Sequence, residues 1–108
     1  MAQYVVLANF TDQGIRAIKD TTKRAKAFRQ LARDMGVTVN DIYWTLGVYD
    51  VVLTMEAQEE EKVAALMLKV GSLGNLKSQT LRAFSEPEID ALLATGATRS
   101  ESSKGATS

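Results

Sequence analysis

The chain has 108 residues, with 13 basic and 13 acidic side chains and neither histidine nor cysteine. This length fits one domain with a hydrophobic core of its own, and a hydrophobic content of 45% excludes disorder of the chain as a whole. Zinc sites built from Cys or His, thiol nucleophiles, disulfides and imidazole bases are excluded within one copy.

Tyr4 to Phe10 is a short run rich in β-branched and aromatic residues, stopped by Thr11-Asp12, and reads as a first strand. Thr11 or Asp12 can cap the helix that follows, because a side-chain oxygen there accepts from the exposed amides of the first turn. Ile15, Ile18, Ala25, Phe28, Leu31, Ala32 and Met35 recur at helical spacing. Asp20-Thr21-Thr22 interrupts this stretch with capping residues, so it forms either two helical pieces or one kinked helix. Gly36 supplies the left-handed stop.

Val37–Leu46 and Val51–Met55 read as an antiparallel pair turning around Gly47-Val48-Tyr49-Asp50. Glu59-Glu60-Glu61 then places acids at a helix start, where the backbone dipole favours them. Val63, Leu66, Met67 and Val70 continue as an apolar stripe that Gly71 is expected to end. Leu76–Phe84 reads as a fourth strand. Ser85-Glu86-Pro87-Glu88 has the form of a capping box, ahead of a short helix carrying Ile89, Leu92 and Leu93. One domain over residues 1–94 is expected, with a disordered polar tail over 95–108.

The order β-α-β-β-α-β is the ferredoxin-like α+β pattern, a four-stranded antiparallel sheet with two helices on one face, here followed by a C-terminal helix. A sheet covered on one side should alternate apolar and polar residues. These strands do not. Tyr4, Val6, Ala8 and Phe10 share one face, yet Val5 and Leu7 occupy the other; Val52 lies opposite Val51, Leu53 and Met55, and Tyr43 opposite Ile42 and Trp44. An apolar second face favours sheet-to-sheet dimerisation. The alternative is that the C-terminal helix folds back over its own sheet.

Seven of the thirteen basic residues fall between Arg16 and Arg33. Arg16, Lys19, Lys23, Lys26 and Arg33 would share about a third of a helix circumference. No aromatic residue interleaves with them and the net charge is zero, so a solvated face is expected rather than a nucleic-acid surface. Gly71-Ser72-Leu73-Gly74-Asn75 lacks the Lys-Ser/Thr of a phosphate loop and reads as a helix end with a tight turn. No run approaches the ~20 apolar residues of a membrane span, and the N-terminus lacks the form of a secretory signal. A cytoplasmic location is expected, with no metal and no cofactor. The candidate ligand-binding residues are Tyr43, Tyr49, Asp50 and Arg82. Asp50, beside the Gly47 turn, is also the one candidate for a catalytic base.

Gly47-Val48-Tyr49-Asp50-Val51-Val52, flanked by Tyr4–Gly14 and by Gly71–Asn75, resembles the GYD-domain family of small bacterial and archaeal proteins described as of unknown function. The likeness runs from Tyr4 to Phe84 and includes Lys23-Arg24-Ala25 and Thr80-Leu81-Arg82-Ala83-Phe84. It implies membership of the dimeric α/β-barrel superfamily, in which two ferredoxin-like sheets close face to face. The Gly-x-Tyr-Asp turn is also similar to the ligand-binding domain of the leucine- and asparagine-responsive regulators, although no helix-turn-helix precedes it here. Together these features imply a homo-oligomeric module that binds a small polar molecule or serves in assembly. The alternative is a cofactor-independent enzyme of the dimeric α/β-barrel type, a monooxygenase, isomerase or decarboxylase, with Asp50 as base and Tyr43, Tyr49 or Arg82 as stabilisers.

Overall fold

The computed structural model describes the backbone of residues 1–103 and the side chains of residues 1–95. Strand β1 (Ala2–Phe10) leads through α1 (Asp12–Arg16) and a 3-10 turn (Ile18–Asp20) into α2 (Thr21–Asp34). Strands β2 (Val37–Trp44) and β3 (Val51–Ala57) follow, then α3 (Glu60–Ser72), β4 (Leu76–Ala83) and α4 (Glu86–Ser103). The four strands form one antiparallel sheet in the order β2-β3-β1-β4, so β1 and β3 are central and β2 and β4 are edges. This is the ferredoxin-like arrangement expected from the order of elements.

Local chemistry explains most boundaries. The Thr11 hydroxyl accepts the Gly14 N–H and caps α1. Gly36 and Gly74 end α2 and α3 with φ of 84° and 86°, a conformation that costs glycine little. The stop after α3 therefore falls at Gly74 rather than at Gly71, which remains inside the helix. Ser85 and Glu88 form the expected capping box, each side chain meeting the other residue's backbone N–H.

Helices α2 and α3 cover one face of the sheet and bury the odd-numbered set of β3 (Val51, Leu53, Met55, Ala57) with Tyr4, Val6 and Ala8 of β1. Ala32, Val63 and Leu66 close the core from the helix side. Burying such side chains contributes about 1.5–3 kcal/mol for each larger one.

Two expectations need correction. The residues from Asp12 to Asp34 form three pieces, and the break at Ala17 turns Ile15 and Ile18 outward; both are exposed instead of continuing the α2 stripe. The same break places Arg16 on α1 and Lys19 in the 3-10 turn, so the five cations do not share one helix. The helical backbone of α4 passes Thr95 and reaches Ser103. Beyond the capping box its sequence has no later proline and only the single Gly96, which costs about 1 kcal/mol and does not stop a helix by itself. Of the polar tail expected over 95–108, residues 104–108 lie outside the described residues. Among the described residues, no helix is long and apolar enough to cross a membrane.

Candidate functional site

The four residues singled out from the sequence lie in different places. Tyr43 projects from β2 on the side of the sheet away from the helices and is 59% exposed. Tyr49 lies in the β2–β3 loop, and its hydroxyl donates to Gln79 Oε1 of β4 at 3.4 Å. Asp50 sits at the end of that loop, where Oδ2 accepts the Phe10 N–H at 2.9 Å and the Asn9 side-chain amide at 3.3 Å. Its carboxylate joins the hairpin loop to the end of β1.

Arg82 belongs to the opposite, helix-side face of β4. Its guanidinium lies 4.2 Å from the Phe84 ring centroid and 5.8 Å from that of Tyr4. It lines a cleft with Tyr4 and residues Gln58 to Glu61, far from the Tyr49 contact in strand register. The Tyr4 hydroxyl is buried there without a hydrogen-bond partner among the described residues. The sheet therefore separates Arg82 from both tyrosines.

The Gly71–Asn75 loop presents carbonyl groups to the β1–α1 corner. Leu73 O accepts from the Gln13 side-chain amide at 2.9 Å, Gly74 O from the Thr11 hydroxyl at 2.5 Å, and Asn75 O from the Thr11 N–H at 3.1 Å. Gly74 thus makes the turn with φ of 86°, whereas Gly71 lies within α3.

Two features have the size of a functional surface. The first is the uncovered face of the sheet. Pairing aligns Tyr43, Val52, Leu7 and Gln79 in one row across all four strands, and Asp41, Thr54, Val5 and Leu81 in the next. Val5, Leu7 and Val52 are only half-buried, and Leu81 is 42% exposed. Helix α4 does not cover this face: Ile89, Leu92 and Leu93 are themselves exposed.

The second is a pocket of about 170 Å³ on the other side of the sheet, beneath α2 and α3. Phe28 and Leu31 of α2, Met67 and Val70 of α3, and Leu53 and Val6 of the sheet form its apolar walls. Trp44 stands at its edge, with Nε1 donating to Thr21 Oγ1 at 3.0 Å and tying the end of β2 to the start of α2. Arg24 of α2 and Asn75 complete the polar part of the wall. None of Tyr43, Tyr49, Asp50 and Arg82 lines this pocket. Sequence periodicity puts Ile42 and Trp44 on one side of the strand, opposite Tyr43, but an unfilled volume between helices and sheet leaves no periodic signal.

The family model for the GYD domain matches residues 4–93. The chain belongs to the GYD domain family. It is also 37% identical over 94 residues to a Thermus thermophilus protein described as a glutamine synthetase and cystathionine beta-lyase binding protein, a match covering 86% of this chain and 99% of that relative. Among solved structures, the crystal structure of TTHA0845, also from Thermus thermophilus, superposes with a TM-score of 0.50 at 20% identity, over 79% of this chain and 95% of that one. That likeness concerns the fold. The Gly47–Asp50 segment thus sits in a GYD domain as a pinned hairpin loop at one end of the uncovered sheet face, with Asp50 held by β1 and Tyr49 reaching β4.

Proposed function

We propose that this GYD domain is a homo-oligomeric binding module that docks onto metabolic enzymes, with the uncovered face of its sheet as the surface for self-association. The carrying observation is the row Tyr43, Val52, Leu7 and Gln79, bordered by Val5 and Leu81. An apolar sheet face of this kind is seldom left in water by a stable single copy. Two copies facing one another would bury it, with the Thr54–Asp41 and Tyr49–Gln79 hydrogen bonds supplying polar groups near its middle and edge. A C2 arrangement uses the same patch twice, so no second surface is required.

The description of the Thermus relative, which this chain matches over nearly that protein's whole length, supports enzymes as the partner class. Sedimentation velocity at micromolar protein tests self-association: a dimer or larger closed oligomer is expected, and a lone monomer overturns it. Purified glutamine synthetase and cystathionine beta-lyase from the organism encoding this chain test the partner class by surface-immobilised binding. Saturable binding to either is expected, and binding to neither removes that half of the reading.

A further inference from the structure

The pocket beneath α2 and α3 is independent of the self-association surface, since it lies on the other side of the sheet. Protein interiors are packed to the density of organic crystals, and a void of this size is uncommon in a small domain. An apolar cavity of about 150 Å³ stays dry and accepts a molecule such as benzene. The pocket here, about 170 Å³ and walled almost wholly by hydrocarbon, suits a single ring or a short branched chain. Two of its wall residues are open to solvent, Leu73 at 59% and Trp44 at 44%, so a molecule can enter there without unfolding the core.

The polar groups at the wall define the rest of the occupant. Trp44 Nε1 is spent on Thr21 Oγ1, and the Asn75 side-chain oxygen accepts from Gln13 at 3.1 Å. Thr21 Oγ1 accepts in its bond with Trp44, which leaves the hydroxyl proton to donate. Arg24 is half-buried and gives one N–H to Ala17 O at 2.8 Å. It has no carboxylate partner: the one ion pair among the described residues joins Lys62 and Glu59. A half-buried guanidinium carries five donors and favours an anionic, planar acceptor. We propose that this pocket binds a small carboxylic acid whose body is a single ring or short apolar chain, the body lying among Phe28, Leu53 and Val70 and the carboxylate meeting Arg24 and Thr21.

Phenylacetate serves as the probe, benzyl alcohol as its uncharged counterpart and acetate as the headgroup alone. Amide chemical shifts of the full-length chain are followed during each titration. Phenylacetate is expected to give saturable shifts at Val6, Ala25, Phe28 and Leu53, with acetate giving none. Arg24→Gln should weaken phenylacetate about tenfold, the effect of losing a charge-assisted hydrogen bond, and leave benzyl alcohol unchanged. Ala25→Leu fills the pocket and should abolish both; Val70→Phe does the same from the other helix if the first variant fails to fold.

Phenylacetate shifts confined to the uncovered sheet face, or equal affinity for wild type and Arg24→Gln, would overturn the proposal. So would pocket shifts that appear on diluting the unliganded protein, because they would mean that a side chain from another copy fills the space. Sedimentation of the same samples reads assembly separately, so failure here and failure of the self-association reading are distinguishable.

Discussion

Asp50 Oδ2 accepts the backbone N–H of Phe10 at 2.9 Å, across forty positions of sequence. The same oxygen lies 3.3 Å from the Asn9 amide nitrogen, and the Asp50 N–H in turn donates to Ala8 O at 2.9 Å. Within the loop, the Thr45 hydroxyl donates to Tyr49 O at 2.6 Å, and Asn9 donates to Val48 O at 2.7 Å. Leu46 and Val48 are almost fully exposed, yet the backbone that carries them is fastened at both ends. Removing the Asp50 carboxylate strands the Phe10 N–H. Asp50→Ala is expected to cost about 1–3 kcal/mol, while Asp50→Asn, which keeps an acceptor oxygen, should cost less than about 1 kcal/mol. Urea denaturation followed by circular dichroism reads both; equal midpoints for wild type and Asp50→Ala would show that the carboxylate does not support the loop.

Val52 lies at the centre of the uncovered face, between Tyr43 on β2 and Leu7 on β1. Val52→Lys should leave the fold intact, since the position already borders solvent, and shift the protein to monomer at micromolar concentration. A lysine buried between two facing sheets loses its hydration, a cost of several kcal/mol that Asp41 in the adjacent row offsets only in part. Sedimentation velocity with a matched far-ultraviolet spectrum checks both parts. An unchanged oligomer would move the interface elsewhere.

Gly14 is buried, and a Cβ at this position would collide with the carbonyl oxygen of Asn75. That oxygen cannot retreat freely, because it also accepts the Thr11 N–H. Gly14→Ala is therefore expected to destabilise the domain by about 1–3 kcal/mol through overpacking against backbone. Gly71→Ala, whose added methyl meets open space within a helix, should be neutral or slightly stabilising. Thermal denaturation of the two variants side by side gives the comparison, and similar losses in both would contradict this account.

The hydrogen bond from the Ser85 backbone N–H holds the Glu88 carboxyl below its ordinary value of 4.5, outweighing desolvation, which acts the other way, while the Ser85 hydroxyl, Arg82 and the N-terminus add smaller lowering effects. A lowered carboxyl pKa means the folded state binds its proton more weakly than the unfolded state. The capping contribution is thus complete above about pH 4.5 and is lost as pH falls through the lower, folded value. Amide exchange at the start of α4 should rise over that acidic window in the wild type. In Glu88→Gln the same amides should show no such step; a step of equal size there would assign the titration to another group.

Several features were legible because they depend on neighbours in sequence. The Thr11 cap, the Gly36 stop and the Ser85–Glu88 box each follow from side-chain chemistry acting over a few residues. The order of the elements was legible for the same reason, and with it the ferredoxin-like sheet. The stop at Gly74 was assigned to Gly71 because both glycines can end a helix, and contacts from Gln13 and Thr11 fix which turn is used. The outward Ile15 and Ile18 were read as core because helical spacing alone continues through the break at Ala17.

The binding surfaces divided differently. Apolar residues on both sides of the strands determined, from sequence alone, that the second sheet face needs a cover, either another copy or the C-terminal helix. Tertiary structure decided that α4 does not cover it, that Arg82 lies on the other side from Tyr43 and Tyr49, and that the void sits under the helices beside Arg24, which has no carboxylate partner among the described residues. The physical reason is range. Alternation, caps and turns are written in the spacing of adjacent residues, whereas a pocket and its charge arise where elements far apart in the chain fail to fill the space between them.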